Sequence, residues 1–249
     1  MDMDNIEVSV VIPVYNCEKY IAAALSSVKE QKTKWECIII DDCSTDGTAG
    51  LIEPFLEDTR FRYVRNESNM GVAAGRNLGV SLAQGRYVAF LDGDDYWTAD
   101  KLEKQYRLME DKQAVISSTG RELMDEDGSL SGRIIGIPEI ISYKKLLRSN
   151  VLNTSGVMVR RDVILRYPMS QDHLHEDYIT WLMILREYDS AYGINEPLLK
   201  YRVVKGSKSS DKLKSAKMTY GVYRYMGYSR LRALYYFCFY AVHGVLKYM

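Results

Sequence analysis

Short apolar runs alternate regularly with amphipathic segments over the first half of this 249-residue chain. The runs lie at residues 8–12, 36–40, 61–64 and 87–91, and segments with helical periodicity lie between them. Strand–helix units of this length predict an α/β fold, in which a mostly parallel sheet is flanked by helices on both faces. In such sheets, ligands bind beyond the carboxyl ends of the strands.

The second half of the chain is less regular. Its pattern predicts further elements, which are strands at 115–119, 154–159 and 198–203, a hairpin turn at 125–128 and a helix at 176–188. A basic, aromatic-rich segment follows the last of these strands. We therefore expect one α/β domain over residues 1–204 and a helical C-terminal extension over residues 205–249.

Three carboxylates, Asp92, Asp94 and Asp95, end the fourth apolar run abruptly. Carboxylates repel one another and resist burial, so their clustering at a strand end favours a site that includes a cation. Oxygen ligands of this kind suit Mn²⁺ or Mg²⁺, and these ions suit a diphosphate. The alternative is an acidic junction in which an aspartate caps the next helix.

Two other acidic motifs fit this stretch less well. An EF-hand calcium loop needs an oxygen ligand and then a glycine where Tyr96 and Trp97 stand. A phosphatase of the Asp-x-Asp-x-Thr type needs a threonine at the position of Tyr96. The sequence therefore favours a metal–diphosphate site over a calcium loop or a phosphatase.

Polar clusters also follow the first two apolar runs. Pro13, Tyr15 and Asn16 follow the first, and Asn16 is predicted to cap the next helix. Asp41 and Asp42 follow the second, where their carboxylates either accept hydrogen bonds from a nucleoside or order a capped turn. Because parallel strands end at one edge of a sheet, we expect the three clusters to converge there.

Arg76 lies in a predicted helix, residues 71–84, whose glycines recur at four-residue intervals. Small residues on one helix face favour close packing, whereas the guanidinium suits a phosphate or a nucleotide. Arg202 follows the last predicted strand. With Ser207 and Ser209, it either closes over a diphosphate or belongs to a plain basic loop.

Glu176 and Asp177 begin the helix predicted at residues 176–188. A carboxylate in the first turn is stabilised by the helix dipole, which gives a purely structural explanation. The functional explanation is a general base that accepts a proton from an attacking hydroxyl. His173 and His175 are the alternative bases, although loop histidines are more often merely solvated.

Taken together, these segments resemble the family-2 glycosyltransferases, inverting enzymes with the GT-A nucleotide-sugar fold. The similar segments follow the family order, at residues 10–16, 40–48, 69–79, 91–95 and 176–177. The resemblance covers about residues 8–209, although residues 117–153 follow no pattern that identifies an acceptor. It implies transfer of a sugar from a nucleotide-diphosphate sugar, with UDP-sugars favoured, to an acceptor hydroxyl in cell-surface polysaccharide or glycolipid assembly.

The resemblance also implies roles for individual residues. Asp177 is expected to be the catalytic base, and Asp94, together with Asp92, is expected to hold Mn²⁺ or Mg²⁺. The expected nucleotide-sugar site draws on all five motifs and on the last strand, through Pro13, Tyr15, Asn16, Asp41, Asp42, Arg76, Asp92, Asp94, Asp95, Glu176 and Arg202. The alternatives are a nucleotide-sugar binding module without catalysis and a metal-dependent phosphatase or nucleotidyltransferase.

Charge is balanced overall but not along the chain. The 33 basic and 33 acidic residues cancel, which argues against nucleic acid as a partner. Residues 205–249 contain nine Lys or Arg against one acidic residue, and their aromatic cluster at 235–240 follows Arg230 and Arg232. Such a segment suits the surface of an anionic membrane, where lipid-linked saccharide acceptors reside. The alternative is that the aromatic stripe packs on the catalytic domain or on the second subunit of a homodimer.

Cysteine usage and hydropathy bear on the location of the protein. Cys17, Cys37, Cys43 and Cys238 form no Cys-x-x-Cys pair and resemble the buried thiols of a reducing compartment. We find no signal peptide and no run of about 18 apolar residues, the minimum for a membrane span. We therefore expect a cytoplasmic protein that acts at the inner face of the cytoplasmic membrane.

Overall fold

A ten-stranded sheet runs through the computed structural model, which describes residues 6–204 and 212–248. The strands are Val8–Val14 (β1), Trp35–Asp41 (β2), Phe61–Arg65 (β3), Tyr87–Phe90 (β4), Tyr96–Trp97 (β5), Ile116–Met124 (β6), Leu130–Ile135 (β7), Ile140–Ser142 (β8), Met158–Arg160 (β9) and Ser190–Arg202 (β10). The helices are Ile21–Lys29 (α1), Thr48–Ile52 (α2), Val72–Leu82 (α3), Lys101–Asp111 (α4), Tyr143–Arg148 (α5), Arg161–Ile164 (α6), Glu176–Tyr188 (α7), Lys212–Tyr225 (α8) and Arg230–Tyr248 (α9). The predicted diphosphate contact of Ser207 and Ser209 falls outside the described residues.

The strand order across the sheet is β3-β2-β1-β4-β9-β6-β10-β5, with β7 beside β6 and β8 beside β10. β3, β2, β1 and β4 are parallel to one another, as the strand–helix alternation predicts. From β9 onward, parallel and antiparallel pairs are mixed. Short connections such as the predicted turn at residues 125–128, which joins antiparallel β6 and β7, replace helical crossovers there. The expected parallel arrangement is therefore right for the first four strands, and the complete sheet is mixed.

Helices cover both faces of the sheet, so that β1 and β2 are buried on both sides. On one face, α1 and α4 pack against residues such as Val10 and Ile39. On the other face, α3 packs against β1 and β2, and α7 and α8 extend the same apolar cluster, which includes Val11 and Ile38. Continuous apolar strands of this kind are expected where a parallel sheet is buried on both sides.

α3 lies very close to β1. A Cβ atom built on Gly79 would lie 2.3 Å from Cγ1 of Val11, which is too short for two carbon atoms. Glycine at this position therefore permits the close approach of α3, the helix that carries Arg76. The packing role predicted for the glycines of this helix is confirmed at Gly79.

Two local predictions are wrong. Asn16 does not cap α1, because its backbone has a φ of 53° and its side-chain oxygen accepts a hydrogen bond from the Thr45 amide at 2.8 Å. α1 begins only at Ile21 and has no side-chain cap. The strand predicted at residues 154–159 is reduced to β9, since Thr154–Gly156 forms a 3₁₀ turn. Both segments bond to distant parts of the chain, which local periodicity does not reveal.

The C-terminal extension is helical, as predicted, and one face of it packs on the core. Val222 and Tyr223 of α8 are fully buried, and the Tyr223 hydroxyl donates to the Leu147 carbonyl at 2.8 Å. Another face of α9 exposes apolar side chains such as Leu231 and Val242. Within the described ranges, no helix is both long enough and apolar enough to span a bilayer. Packing on the rest of the protein is thus confirmed for one face, whereas the domain boundary, the membrane contact and the homodimer stay predictions.

Candidate active site

The three polar clusters meet at the carboxyl edge of the sheet, on either side of β1. The chain leaves β1 toward β2 and β3 and returns to β4 on the opposite side of β1. In α/β sheets, ligands bind in a crevice at the carboxyl ends of the strands where the strand order reverses, which here are β1 and β4. The Asn16 amide donates to Oγ of Ser44 at 3.0 Å, so the turns after β1 and β2 are bonded to each other. The expected convergence of the strand ends is therefore present in the fold.

Arg76 joins two of the predicted motifs. Its guanidinium donates to Asp92 at 2.6 Å and to Glu176 at 3.1 Å. The Arg76 side chain is 6% exposed and that of Glu176 7%, whereas that of Asp92 is 34% exposed. Burial alone lowers the pKa of the guanidinium, but the nearby carboxylates outweigh burial and raise it. Arg76 is therefore a permanent cation that holds the loop after β4 against the start of α7.

Two hydroxyl residues that the sequence analysis missed complete this connection. Thr154 donates from Oγ1 to Oδ2 of Asp177 at 2.7 Å, and the Tyr178 amide donates to Oδ1 of the same carboxylate at 2.7 Å. The next residue, Ser155, accepts a hydrogen bond on Oγ from the Asp92 amide at 3.1 Å. Adjacent side chains of one 3₁₀ turn thus fix both Asp177 and the loop after β4. Their partners lie 23 and 63 residues away in the sequence, so no local pattern identifies them.

Asp92 and Asp94 form a pair of neighbouring carboxylates. Burial, and next the negative charge of Asp92, raises the pKa of Asp94 to about 6. Gly93 between them leaves little room for a side chain, because a Cβ atom there would lie 3.1 Å from Val14 and 3.2 Å from Cys17. The loop is therefore held close to the end of β1, with two carboxylates whose mutual repulsion a bound cation would relieve.

Asp95 and Arg202 support this loop. Asp95 is 2% exposed, its Oδ1 accepts a hydrogen bond from the Arg202 amide at 2.8 Å, and its pKa is raised chiefly by burial and then by the charge of Asp94. The Arg202 guanidinium donates to the carbonyls of Asp94 and Glu126 at 2.9 Å each. It also lies over the Tyr20 ring, 4.5 Å from the ring centroid. Both side chains hold loops in place here, and their direct contact with a nucleotide sugar stays a prediction.

Asp41 has no exposed surface. Its Oδ1 accepts a hydrogen bond from the Ser44 amide at 2.8 Å, and its Oδ2 accepts one from the Tyr63 hydroxyl at 2.5 Å. Of the two explanations that the sequence left open, these contacts favour the ordered turn. Contact of Asp41 with a nucleoside stays a prediction, and it would require the carboxylate to leave these partners.

Asp42 holds the segment that precedes α3. Its carboxylate accepts hydrogen bonds from the Asn66 side chain and from the amides of Met70 and Gly71, each at 2.8 Å. Gly71 has a φ of 87°, a backbone conformation that glycine adopts readily. Asp42 therefore fixes the start of the helix that carries Arg76. Its contact with a nucleoside also stays a prediction.

Tyr15 stands at the end of β1 with 49% of its surface exposed. An exposed aromatic ring at this edge offers a flat face on which a nucleobase can stack. Pro13, two residues earlier, is partly exposed. The structure thus places both residues where the nucleotide is expected, and their contacts with it stay predictions.

His175 has partners away from the crevice. Its Nε2 lies 3.2 Å from both the carbonyl oxygen and the hydroxyl oxygen of Ser215 in α8. These contacts connect the loop before α7 to the C-terminal extension. Asp177, which is tied to the turn that also holds the Asp92 loop, is therefore better placed than His175 to act as a base.

Asp92 and Asp94 are the candidate metal ligands among the described residues. In that part of the chain, no group of three or more Asp, Glu, His or Cys side chains is arranged to hold an ion. Asp92 and Asp94 offer two hard oxygen donors, and Mg²⁺ is commonly bound through one or two carboxylates together with substrate phosphates and water. The pair therefore fits a divalent cation that binds together with a diphosphate.

Comparison with known proteins gives the family. Residues 9–167 match the family described as Glycosyl transferase family 2. The chain belongs to this family. It is 42% identical over 219 residues to the putative teichuronic acid biosynthesis glycosyltransferase TuaG of Bacillus subtilis, with 87% of each chain covered. It is 35% identical over 248 residues to the UDP-Glc:alpha-D-GlcNAc-diphosphoundecaprenol beta-1,3-glucosyltransferase WfgD of Escherichia coli, with 98% of this chain and 96% of WfgD covered.

Solved structures share the fold. TarS of S. aureus, residues 1–349 in complex with UDP-GlcNAc, has a TM-score of 0.70 at 18% identity, over 92% of this chain and 69% of that one. The mannosyltransferase PcManGT of Pyrobaculum calidifontis, in complex with GDP-Man and Mn²⁺, has a TM-score of 0.72 at 18% identity, over 94% and 70%. The GT-A fold class is thereby confirmed. The chain is a glycosyltransferase, so the phosphatase, nucleotidyltransferase and non-catalytic alternatives are set aside.

Proposed function

We propose that this glycosyltransferase moves a sugar from a UDP-sugar, with inversion at the anomeric carbon, to a hydroxyl of a lipid-linked saccharide. The observation that carries the proposal is the network of Arg76, Thr154 and Ser155, which holds the loop of Asp92 and the carboxylate of Asp177 in one cluster. The relatives support it, because WfgD is named for a UDP-glucose donor and a diphosphoundecaprenol acceptor. TuaG is named for teichuronic acid biosynthesis, which supports a role in cell-surface polysaccharide or glycolipid assembly.

The donor is proposed to lie across the carboxyl ends of β1, β2 and β4. Tyr15 would stack on the base, while the loop that Asp42 orders would lie beside the nucleoside. Asp94 and Asp92 would hold Mn²⁺ or Mg²⁺, which when bound neutralises negative charge on the departing diphosphate. Arg76 reduces the negative charge of the cleft that a diphosphate must enter. The Mn²⁺ and nucleotide sugars in the complexes of PcManGT and TarS support this arrangement.

Asp177 is proposed as the catalytic base. It accepts the proton of the acceptor hydroxyl while that oxygen attacks the anomeric carbon on the face opposite the diphosphate. A bond forms between the acceptor oxygen and the anomeric carbon, and the bond to the β-phosphate oxygen breaks. UDP leaves with the electron pair of that bond. The hydrogen bonds from Thr154 and Tyr178 orient the carboxylate for this transfer.

The acceptor side is proposed to face a membrane. Leu231, Tyr235 and Val242 are exposed on α9, and Arg230 and Arg232 are exposed on the same helix. Apolar and basic side chains together suit the interface of an anionic bilayer. We therefore place the reaction at the inner face of the cytoplasmic membrane, with the C-terminal extension in peripheral contact.

Product analysis tests the proposal. The enzyme is incubated with Mn²⁺, with α-D-GlcNAc-diphosphoundecaprenol as acceptor probe, and with UDP-glucose, UDP-GlcNAc or GDP-mannose as donor. We expect acceptor-dependent consumption of a UDP-sugar and, by proton NMR of the product, a β linkage formed from the α-linked donor. An α-linked product would contradict inversion, and exclusive use of GDP-mannose would contradict the UDP-sugar assignment.

A further inference from the structure

A groove with a volume of about 790 Å³ lies between β7, β8 and α5. It occupies the region whose sequence followed no recognisable pattern. Apolar and basic side chains share its lining, which includes Ile134, Pro138, Val151, Lys144, Lys145 and Arg148. None of the described residues that line it is acidic. The groove therefore combines apolar walls with a concentrated positive charge.

The three basic side chains have no carboxylate partner among the described residues. Lys144, Lys145 and Arg148 are exposed, and none of them forms a salt bridge with a carboxylate in the described part of the chain. Lys144 stands in the first turn of α5, where positive charge opposes the helix dipole, whereas Lys145 and Arg148 lie in the last turn, where positive charge suits it. Ion pairing within the described residues accounts for none of the three charges, and the helix dipole does not call for Lys144 or for three cations on one groove, so a ligand of opposite charge is the simplest explanation.

The apolar surface continues from the groove onto α9. The Arg148 guanidinium lies 5.3 Å from the ring centroid of Phe239, and the Phe239 ring lies 4.9 Å from that of Tyr235. Phe239 is 37% exposed and Tyr235 50% exposed. An occupant with an anionic head in the groove therefore finds an apolar path for a long hydrocarbon chain along α9.

The groove also lies within reach of the proposed base. Val151 lines the groove, and Thr154, three residues later, donates to Asp177. Three residues span at most roughly 11 Å of backbone. A short saccharide attached to an anion in the groove can therefore present a hydroxyl at Asp177.

We propose that this groove binds the isoprenoid diphosphate of the acceptor, with Lys144, Lys145 and Arg148 on the diphosphate and the apolar walls on the lipid. The charge is complementary, because a diphosphate diester is a dianion and the lining carries only cations. The inference rests on the proposed function, since it assigns a site to the acceptor of that reaction. It adds a lipid-diphosphate site separate from the donor crevice at β1 and β4.

Binding of farnesyl diphosphate, a short isoprenoid diphosphate without a sugar, tests the groove directly. Saturating UDP and Mn²⁺ occupy the donor site during calorimetric titration, so that the diphosphate does not bind there. The variant combines Lys144→Ala, Lys145→Ala and Arg148→Ala. We expect saturable binding to the natural protein and at least about tenfold weaker binding to the variant, because charge-assisted contacts dominate recognition of a diphosphate.

Lysines at the opposite edge of the sheet provide the matched control. Lys29, Lys32 and Lys34 are exposed near the amino end of β2, and replacing all three with alanine removes the same charge. This control is expected to bind farnesyl diphosphate within about twofold of the natural protein, and both variants are expected to keep the natural affinity for UDP. Farnesol, which lacks the diphosphate, is expected to bind more weakly than farnesyl diphosphate.

Three results would overturn the groove assignment. The first is that the natural protein does not bind farnesyl diphosphate, and the second is that the groove variant binds it equally well. The third is that the groove variant keeps its affinity for farnesyl diphosphate and loses only its binding to vesicles that contain phosphatidylglycerol. The last result would identify a general surface for anionic lipid headgroups instead. These results differ from failure of the proposed function, because an enzyme that transfers no sugar from any UDP-sugar can still bind farnesyl diphosphate through these residues.

Discussion

Replacing Asp177 with asparagine is expected to lower kcat by roughly 10²–10⁴-fold, the usual contribution of a positioned general base. Asparagine has nearly the same shape but does not accept the proton of the acceptor hydroxyl. Its carbonyl oxygen can still accept one of the hydrogen bonds that now come from Thr154 and Tyr178. The affinity for UDP in Mn²⁺ is expected to stay within about twofold, because in this account Asp177 faces the acceptor.

Steady-state kinetics and calorimetry on the same preparations separate these two effects. Asp162 provides the control, since it is an exposed carboxylate paired with Arg160, near the opposite edge of the sheet. Asp162→Asn is expected to keep both the natural kcat and the natural UDP affinity. Turnover by Asp177→Asn at the natural rate would exclude Asp177 as the base, and equal losses of turnover and UDP affinity would indicate a structural role.

Replacing Arg76 with methionine is expected to lower the free energy of unfolding by about 3 kcal/mol. Methionine fills much of the volume but leaves the buried Glu176 carboxylate without its cation. The value lies at the lower end for broken buried ion pairs, because the side chain of Asp92 is 34% exposed and water screens part of the loss. For a chain of this size, the melting temperature is expected to fall by roughly 6–12 °C.

Urea denaturation of two further variants checks the origin of that loss. Arg86 forms a surface pair with Glu110, and its side chain is 56% exposed, so Arg86→Met is expected to cost no more than about 1 kcal/mol. Adding Glu176→Gln to Arg76→Met is expected to recover part of the stability, because it removes a buried negative charge that the Arg76 cation no longer offsets. If Arg76→Met proved as stable as Arg86→Met, the ion pairs of Arg76 with Asp92 and Glu176 would not stabilise the fold.

The strand-end motifs could be predicted from the sequence because they depend on local patterns. β-branched runs and amphipathic segments locate β1 to β4 and the helices between them, and α7 has the bounds that its periodicity predicts. The apolar character of β1 and β2 on both sides follows from the same runs. The mixed second half of the sheet was not predictable in this way, because hairpin pairing depends on contacts between distant segments.

The contacts that hold the site residues in place were harder to predict. Asp42 and Arg202 were expected at the nucleotide, whereas in the fold their side chains hold neighbouring loops. Thr154 and Ser155 were assigned to a strand, although they form the turn that binds Asp177 and the Asp92 loop. Such contacts join residues far apart in the sequence, and hydroxyl side chains carry no motif that reports them.

The central claim, that Asp92 and Asp94 hold a divalent cation against a diphosphate, is tested most directly by titrating UDP into the natural protein and into Asp94→Asn, each with Mn²⁺ and with EDTA. We expect the natural protein to bind UDP at least about tenfold more tightly in Mn²⁺ than in EDTA, a difference of about 1.4 kcal/mol. In Asp94→Asn this difference is expected to disappear, while Asp162→Asn keeps it. An undiminished Mn²⁺ dependence in Asp94→Asn would contradict the account.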